Sequence, residues 1–185
     1  MINAALKVFA LNGYRHASTD DMVREAAISK GLLFHYFGSK LGLYTFVYDY
    51  SVRYMTLELG TSVDASETDL FELFKQTEGA RMRAMRGYPY MQQFLNRCQA
   101  EDVSEALLAI EEKRNLLNET YENIWSRSDV KGLPAGVDSE KLRKMLDLTI
   151  KGLMTERFMD ASFQPEMLYQ EIVDYLDMMK RLTGH

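Results

Sequence analysis

The fold of this chain is decided by residues 18–40, which read STDDMVREAAISKGLLFHYFGSK. Ser18 and Ser29 each precede a short run of helix-forming residues, as the N-caps of helices do. Gly38 then closes the second run, and Ser39 is positioned to cap a further helix. Two short helices joined by a tight turn have the geometry of a helix-turn-helix, whose second helix can enter the major groove of DNA.

The second of these short helices separates into a buried and an exposed set of side chains. The helical spacing predicts a small core formed by Met22, Val23, Ala26, Ile28, Leu33 and Phe37. The same spacing leaves Lys30, Gly31, Leu32, His35 and Tyr36 pointing elsewhere. Lysine, histidine and glycine contribute nothing to burial there, so an ordinary core helix does not explain them. From the spacing alone, a DNA-binding motif and an αα-hairpin without a partner are both open.

Apolar periodicity extends the helical interpretation over the rest of the chain. Three short helices lead into one long amphipathic helix, and five further helices follow after a polar stretch. The predicted ranges are 2–12 with a stop at Gly13, a short helix ending near Ala26, then 30–37, 40–59, 67–86, 89–99, 103–127, 138–161 and 165–182, with a loop over 131–136. We therefore predict an all-α fold.

Composition excludes several classes of protein. The 185 residues are 46 % hydrophobic and 26 % charged, which is typical of a folded globular chain. No run approaches 18 consecutive apolar residues, and the first residues lack a secretory signal, so we expect a cytoplasmic protein without a membrane span. With one cysteine and three histidines at no ligand spacing, we expect no disulfide, metal site or cofactor. Cys98 and Trp125 are predicted core residues.

The charge of the chain is unevenly distributed. Residues 1–48 carry five of the 22 basic and three of the 27 acidic side chains, a net charge of +2. The remaining residues carry −7, which gives the total of −5. Only the N-terminal part is therefore suited to a polyanionic partner.

A longer stretch, residues 13–40, joins a Gly-Tyr helix stop, a hydroxyl pair, Ser-Lys-Gly, an aromatic cluster and Ser-Lys. It resembles the DNA-binding domain of TetR-family transcriptional regulators, and the match covers residues 2–48. The resemblance implies a homodimeric, all-α repressor. A three-helix helix-turn-helix head would form a DNA-binding domain over 1–48, joined through the long fourth helix to a ligand-binding and dimerisation domain over 49–185.

The resemblance also assigns DNA contacts. Thr19 and Lys40 would contact phosphates at helix N-termini. The groove-facing surface would comprise Ser29, Lys30, Gly31, Leu32, His35 and Tyr36. Gly31 lacks a Cβ and lets this helix approach the groove closely. Ala27 replaces a frequent turn glycine, which predicts slight strain if its φ is positive.

The helical body has side chains suited to a small-molecule effector. Flexible and aromatic residues can line an adaptable apolar cavity between bundle helices. We place this cavity at Met55, Leu59, Met82, Met85, Met91 and Phe94. Because the body is acidic and this lining is apolar, a hydrophobic or cationic small molecule is expected, and the long helix would couple it to the head.

The last two predicted helices are expected to form a two-fold homodimer. Their apolar stripes are wide, and include Leu142, Leu146, Leu153, Ile172, Tyr175 and Met179. Two copies would pack as a four-helix bundle and place the recognition helices about 34–36 Å apart on a palindromic operator.

A second function stays open beside this one. The chain could be an all-α interaction or enzyme module that retains a helix-turn-helix shape without binding an operator. Enzyme chemistry is not expected, because His35 has no Ser, Cys or Asp constellation around it. The two functions differ in salt dependence, since DNA affinity falls steeply as salt rises.

Overall fold

A computed structural model describes residues 1–129, 133–134, 136–160 and 162–184, and all regular structure in these ranges is helical. The helices are α1 (Ile2–His16), α2 (Thr19–Ala26), α3 (Lys30–Phe37), α4 (Lys40–Ser62), α5 (Leu70–Gly87), α6 (Met91–Gln99), α7 (Ser104–Trp125), α8 (Ser139–Arg157) and α9 (Pro165–Leu182). The predicted all-α fold is confirmed. Residues 131, 132 and 135 of the predicted loop, and residue 161 at the predicted end of a helix, lie outside the described ranges.

The first helix is longer than predicted. Gly13 interrupts its geometry with φ 69° and ψ 173°, as a helix stop would, but the helix resumes and continues to His16. The predicted stop is therefore a break within α1. A Cβ on Gly13 would lie 3.0 Å from Nη2 of Arg97, so the position also admits the Arg97 guanidinium.

Three serine caps fix the starts of α2, α3 and α4, as the sequence predicted. The hydroxyl of Ser18 accepts from the N–H of Asp21 at 3.3 Å. The Ser29 hydroxyl accepts a hydrogen bond from the N–H of Leu32 at 3.1 Å, and the Ser39 hydroxyl accepts one from the N–H of Gly42 at 2.9 Å. Each cap satisfies a helix-terminal N–H that would otherwise lack a partner.

The turn between α2 and α3 is strained at Ala27. This residue has φ 53° and ψ 44°, the left-handed conformation that favours glycine. The turn is held by backbone hydrogen bonds, since the N–H of Ala27 donates to the Arg24 carbonyl at 3.3 Å and that of Ile28 to the Val23 carbonyl at 3.1 Å. The strain predicted from the missing turn glycine is confirmed.

The backbone passes close to itself where α3 ends and α4 begins. A Cβ on Gly42 would clash with the carbonyl oxygen of Phe37, far inside the van der Waals limit. Glycine at this position is therefore required for the sharp passage from α3 into α4.

The chain divides into two compact units. The first unit comprises residues 1–57 and 84–120. In it α1 packs against α6 and α2, and α2 packs against α3. Its centre is aromatic: the Phe94 ring lies 6.0 Å from Phe9, 5.7 Å from Tyr44 and 6.2 Å from Tyr48. The DNA-binding domain boundary predicted at residue 48 falls inside this unit and stays a prediction.

The second unit comprises residues 58–83 and 121–185. Here α8 packs against α9, with Leu142, Leu146, Ile150, Leu168 and Ile172 buried. The Phe74 and Trp125 rings stack at 4.3 Å. Ion pairs from Lys180 to Asp69 at 2.9 Å and from Lys75 to Asp177 at 2.6 Å link α9 to the start of α5.

Among the described helices, none is long and apolar enough to cross a bilayer. The same part of the chain holds no group of three or more histidine, cysteine or acidic side chains placed to bind a metal ion.

Candidate nucleic-acid interface

The structure places the predicted groove-facing residues together on α3 and its cap. Six residues are exposed there: Ser29, Lys30, Gly31, Leu32, His35 and Tyr36. Leu32 is 40 % and Tyr36 is 66 % exposed, although both are large and apolar or aromatic. Leu33, between them in sequence, is fully buried and anchors the helix. The exposed surface therefore combines one cation, hydroxyl groups, an imidazole and apolar contact area.

Packing within the chain does not explain why residue 31 is a glycine. A Cβ added there would meet only the Ser29 hydroxyl oxygen, at 4.0 Å, and is otherwise in open space. An exposed glycine inside a helix costs about 1 kcal/mol relative to alanine. A glycine retained at such a position fits a surface that another molecule approaches closely.

The cation of this surface is held by the neighbouring helix. Nζ of Lys30 lies 2.8 Å from Oδ1 of Asp20, in the first turn of α2. Thr19, the predicted phosphate contact, is the first residue of α2 and is half-buried. Thr19 and the α3 surface therefore lie on helices that are joined by an exposed ion pair.

Lys40 has a role that sequence analysis missed. Its ammonium donates to the carbonyl oxygens of Tyr14 at 2.9 Å, Ala17 at 3.3 Å and Arg15 at 3.4 Å. It also lies 4.6 Å from the centre of the Tyr14 ring. A cation at the C-terminal end of α1 is favoured by the helix dipole. Lys40 therefore fixes the end of α1, while its predicted phosphate contact stays a prediction.

Tyr14 is held from a second side by one acidic residue shortly before α7 and another in the first turn of α7. Its N–H donates to Oε2 of Glu101 at 3.1 Å, and its hydroxyl donates to Oε1 of Glu105 at 2.9 Å. Burial, and then the hydrogen bond to Glu105, raise the pKa of Tyr14 to about 12. A cavity of about 260 Å³ lies beside this end of α1, lined in part by Arg97 and Asp102.

Every lysine and arginine in residues 1–48 has a partner. Lys7 pairs with Glu25 at 2.7 Å, and Arg24 pairs with Asp21. Arg15 lies 3.7 Å from Asp102, while Lys30 and Lys40 are held as described above. The net charge of +2 is therefore not presented as a set of free cations. Nothing in the sequence pattern indicated this, because only one of the ion pairs within this region has helical spacing.

The predicted effector-binding residues do not all lie in one unit. Met55, Met85, Met91 and Phe94 are buried in the first unit. Leu59 and Met82 lie in the second unit, where Leu59 is buried and Met82 is partly exposed. Phe94 is a member of the aromatic centre of the first unit, as its ring contacts show. The ligand-binding role of these six residues stays a prediction.

The second unit contains a buried charged cluster that sequence analysis missed. Glu78 is only 2 % exposed, pairs with Arg81, and has an Oε2 atom without a hydrogen-bond partner in the described structure. Nε of Arg81 donates to the Tyr121 hydroxyl at 3.2 Å. Burial raises the pKa of Glu78 against the opposing effect of Arg81. The available signal was a glutamate three residues before an arginine in α5, a helix in which apolar and charged side chains are mixed.

The apolar residues named for dimerisation are mostly internal, which corrects the sequence interpretation. Leu142, Leu146, Leu153 and Ile172 are buried within the second unit, while Met179 is partly exposed and Tyr175 is 41 % exposed. They are covered because α8 and α9 pack against one another. The exposed large apolar residues of these two helices and of the residues after α8 share only Tyr175 with that list: Met145, Leu148, Met159, Met167, Tyr175, Met178 and Leu182.

Comparisons with known proteins gave two separate results, one for the N-terminal residues and one for the fold of the whole chain. The family model of bacterial regulatory proteins of the tetR family matches residues 1–45. No curated protein matches the chain.

Several solved structures share the fold. The regulator PfmR from Thermus thermophilus is 20 % identical, with 97 % of this chain and 96 % of that chain covered and a TM-score of 0.62. A TetR-family regulator from Chloroflexus aurantiacus is 18 % identical, with 98 % and 88 % covered and a TM-score of 0.68. FadR from Bacillus subtilis, solved with stearoyl-CoA, is 16 % identical, with 95 % of each chain covered and a TM-score of 0.61.

At these identities the likeness to the solved structures concerns the fold, and the match to the family model is confined to the N-terminal helices. The first 45 residues of this chain therefore match the model of the tetR family of bacterial regulatory proteins, and the chain shares the fold of solved TetR-family transcriptional regulators.

Proposed function

We propose that this chain is a cytoplasmic, non-enzymatic repressor that binds a palindromic DNA operator as a homodimer and responds to a small molecule. The observation that carries DNA binding is the capped α3 surface, where six predicted contact residues are exposed together and Gly31 leaves room for a close approach. The tetR-family match over residues 1–45 supports the same assignment.

The chemistry of the α3 surface favours a mixed recognition of DNA. Leu32 and Tyr36 offer apolar area to thymine methyl groups, while Ser29 and His35 supply hydrogen-bonding groups for base edges or phosphates. Lys30 reaches the groove edge or a phosphate once it leaves its carboxylate partner. Thr19 would contact a phosphate at the N-terminus of α2.

The exposed apolar residues of α8 and α9 are the proposed dimer interface. Seven large apolar side chains are exposed on these helices and the residues after α8, and such a set fits an isologous contact with a second copy of the chain. The two-fold axis would place the recognition helices about 34–36 Å apart on the two half-sites.

The proposed effector binds among the apolar helices of the body. Met55, Met85 and Met91 supply flexible side chains in the first unit, and we expect a hydrophobic or cationic molecule there. A coupling of about 3 kcal/mol would change operator affinity by about 150-fold. Because FadR from Bacillus subtilis was solved with stearoyl-CoA, a fatty acyl-CoA belongs in the test panel with hydrophobic cations.

Selection of bound sequences from a random duplex pool at near-physiological salt tests the DNA-binding function directly. We expect an enriched palindrome, and an affinity that falls steeply when salt is raised. Enrichment of no sequence, together with salt-independent or absent binding, would favour the alternative of an interaction or enzyme module.

The effector assignment needs its own experiment. Molecules from the panel that raise the thermal stability of the chain are tested for a change in operator affinity. We expect Met91→Trp to blunt the response while leaving effector-free DNA binding intact. A response of unchanged potency in this variant would show that the effector binds elsewhere.

A further inference from the structure

The ion pair between Lys30 and Asp20 lies on the surface proposed to meet DNA. The two atoms are 2.8 Å apart, and both side chains are largely exposed, at 51 % for Lys30 and 66 % for Asp20. Asp20 stands in the first turn of α2, directly after Thr19. The carboxylate therefore sits beside the one cation of the α3 surface and beside a proposed phosphate contact.

The other cations of the head do not replace the charge that Asp20 pairs, because they have partners of their own. The head's three carboxylates, on Asp20, Asp21 and Glu25, each hold a cation, and Lys40 donates to backbone carbonyls. Affinity for DNA of any sequence comes mostly from cations that neutralise phosphates and release counterions. A lysine that keeps a carboxylate at 2.8 Å contributes less to this neutralisation than a free one.

We infer that Asp20 is a residue that limits DNA affinity by holding Lys30 away from the phosphates. The inference rests on the proposed DNA-binding function. Exposed ion pairs add little to folding stability, so DNA can displace Asp20 from Lys30, but the displaced carboxylate remains near the phosphates and repels them. Asp20 thus suppresses sequence-independent binding. The choice of DNA sequence then depends on the contacts between α3 and the bases.

Asp21 provides a matched control for this role. It is the next residue in the same first turn, carries the same charge and pairs with Arg24, which is not among the proposed contact residues. Both carboxylates interact favourably with the α2 dipole, so replacing either by asparagine removes the same charge from the same helix turn. A general effect of charge or helix stability would make the two variants alike.

The test uses the full chain and a fluorescent random-sequence duplex long enough for two half-sites. At about 0.1 M salt we expect Asp20→Asn to bind this duplex about three- to tenfold more tightly than the wild type, with a salt slope steeper by about 0.9 per chain. Asp21→Asn should change the affinity by less than about twofold.

A second pair of variants asks whether Asp20 acts through Lys30. In a Lys30→Met background, Asp20→Asn should have less than half of its effect, because the cation that it releases is absent. Circular dichroism of each variant checks that α2 is formed. Equal effects of Asp20→Asn with and without Lys30, or equal effects of Asp20→Asn and Asp21→Asn, would overturn the inference while DNA binding stands. Failure of the wild type and all variants to bind any duplex would overturn the proposed function and this inference together.

Discussion

The exposed surface of α3 and the exposed stripe of α8 and α9 both present large apolar side chains, yet they differ in what surrounds them. On α3, Leu32 and Tyr36 alternate with a lysine, a serine, a histidine and a glycine. On α8 and α9, leucines, methionines and one tyrosine form the exposed apolar set. The first pattern suits the grooves of a polyanion, and the second suits another protein surface.

The two regions also differ in how their geometry is fixed. The position of α3 depends on short-range features: serine caps, a strained alanine turn and a glycine that permits close backbone approach. The buried faces of α8 and α9 depend on the packing of two separate helices against one another. Exposed apolar residues therefore have to be interpreted with their neighbours, because exposure alone does not identify the partner.

The largest expected effect comes from breaking the local geometry of the head. Gly42→Ala would place a Cβ in severe overlap with the Phe37 carbonyl oxygen. We expect a loss of about 3 kcal/mol or more in the free energy of unfolding, measured by urea denaturation. Gly60→Ala is the control, since Gly60 is exposed on the same helix with open space around it and should gain about 0.5–1 kcal/mol. Similar results for both variants would show that the α3–α4 passage tolerates a side chain.

The next effect tests the second surface without disturbing the fold. Leu148 is 58 % exposed on α8, so Leu148→Glu should leave the thermal stability of the monomer almost unchanged. We expect the dimer dissociation constant, measured by analytical ultracentrifugation, to rise at least about 100-fold, equal to about 2.8 kcal/mol. Gln170→Glu adds the same charge at an exposed position of α9 and should not alter the constant. A monomeric wild type at micromolar concentration would contradict the proposed interface.

A smaller effect tests the turn between α2 and α3. Ala27→Gly should stabilise the chain by about 1 kcal/mol, because glycine adopts the left-handed conformation without the steric cost of alanine. Ala26→Gly, one residue earlier and still in α2, should instead destabilise it by about 1 kcal/mol. Thermal unfolding of the two variants measures both signs, and destabilisation by Ala27→Gly would disprove the strain.

The smallest effect concerns pH. Folding raises the pKa of Tyr14 from 10.0 to about 12, so the neutral phenol is favoured in the folded chain. This contribution to stability is complete below pH 10 and is lost as the pH rises through about 12. We expect Tyr14→Phe to lose less stability than the wild type between about pH 9 and pH 11 in urea denaturation. Glu105→Gln should have a weaker effect in the same direction, and an unchanged pH dependence in both variants would exclude Tyr14 as its source.

Sequence reasoning succeeded where the causes are local. The caps at Ser18, Ser29 and Ser39 and the strain at Ala27 each depend on a few neighbouring residues. The exposure of the α3 surface followed from helical spacing over a single short helix.

The missed features depend on partners that lie outside the helix of the residue concerned. Lys40 meets carbonyls more than 20 residues earlier, and Lys30 meets a carboxylate on another helix. Leu142 and Leu146 belong to a wide apolar stripe, but a stripe does not indicate which side is covered within the unit and which side a second copy would cover.

The environment of Cys98 makes this chain convenient for distance measurements. The single cysteine is 1 % exposed, and its sulfur accepts a hydrogen bond from the Tyr44 hydroxyl at 3.1 Å. Burial raises the pKa of Cys98 to about 12, so almost no reactive thiolate is present at neutral pH. A thiol-reactive spin label would therefore modify a cysteine introduced by Tyr36→Cys and spare Cys98. Pulsed electron paramagnetic resonance on that variant would give the separation of the two α3 helices in the proposed homodimer without removing any native residue from the core.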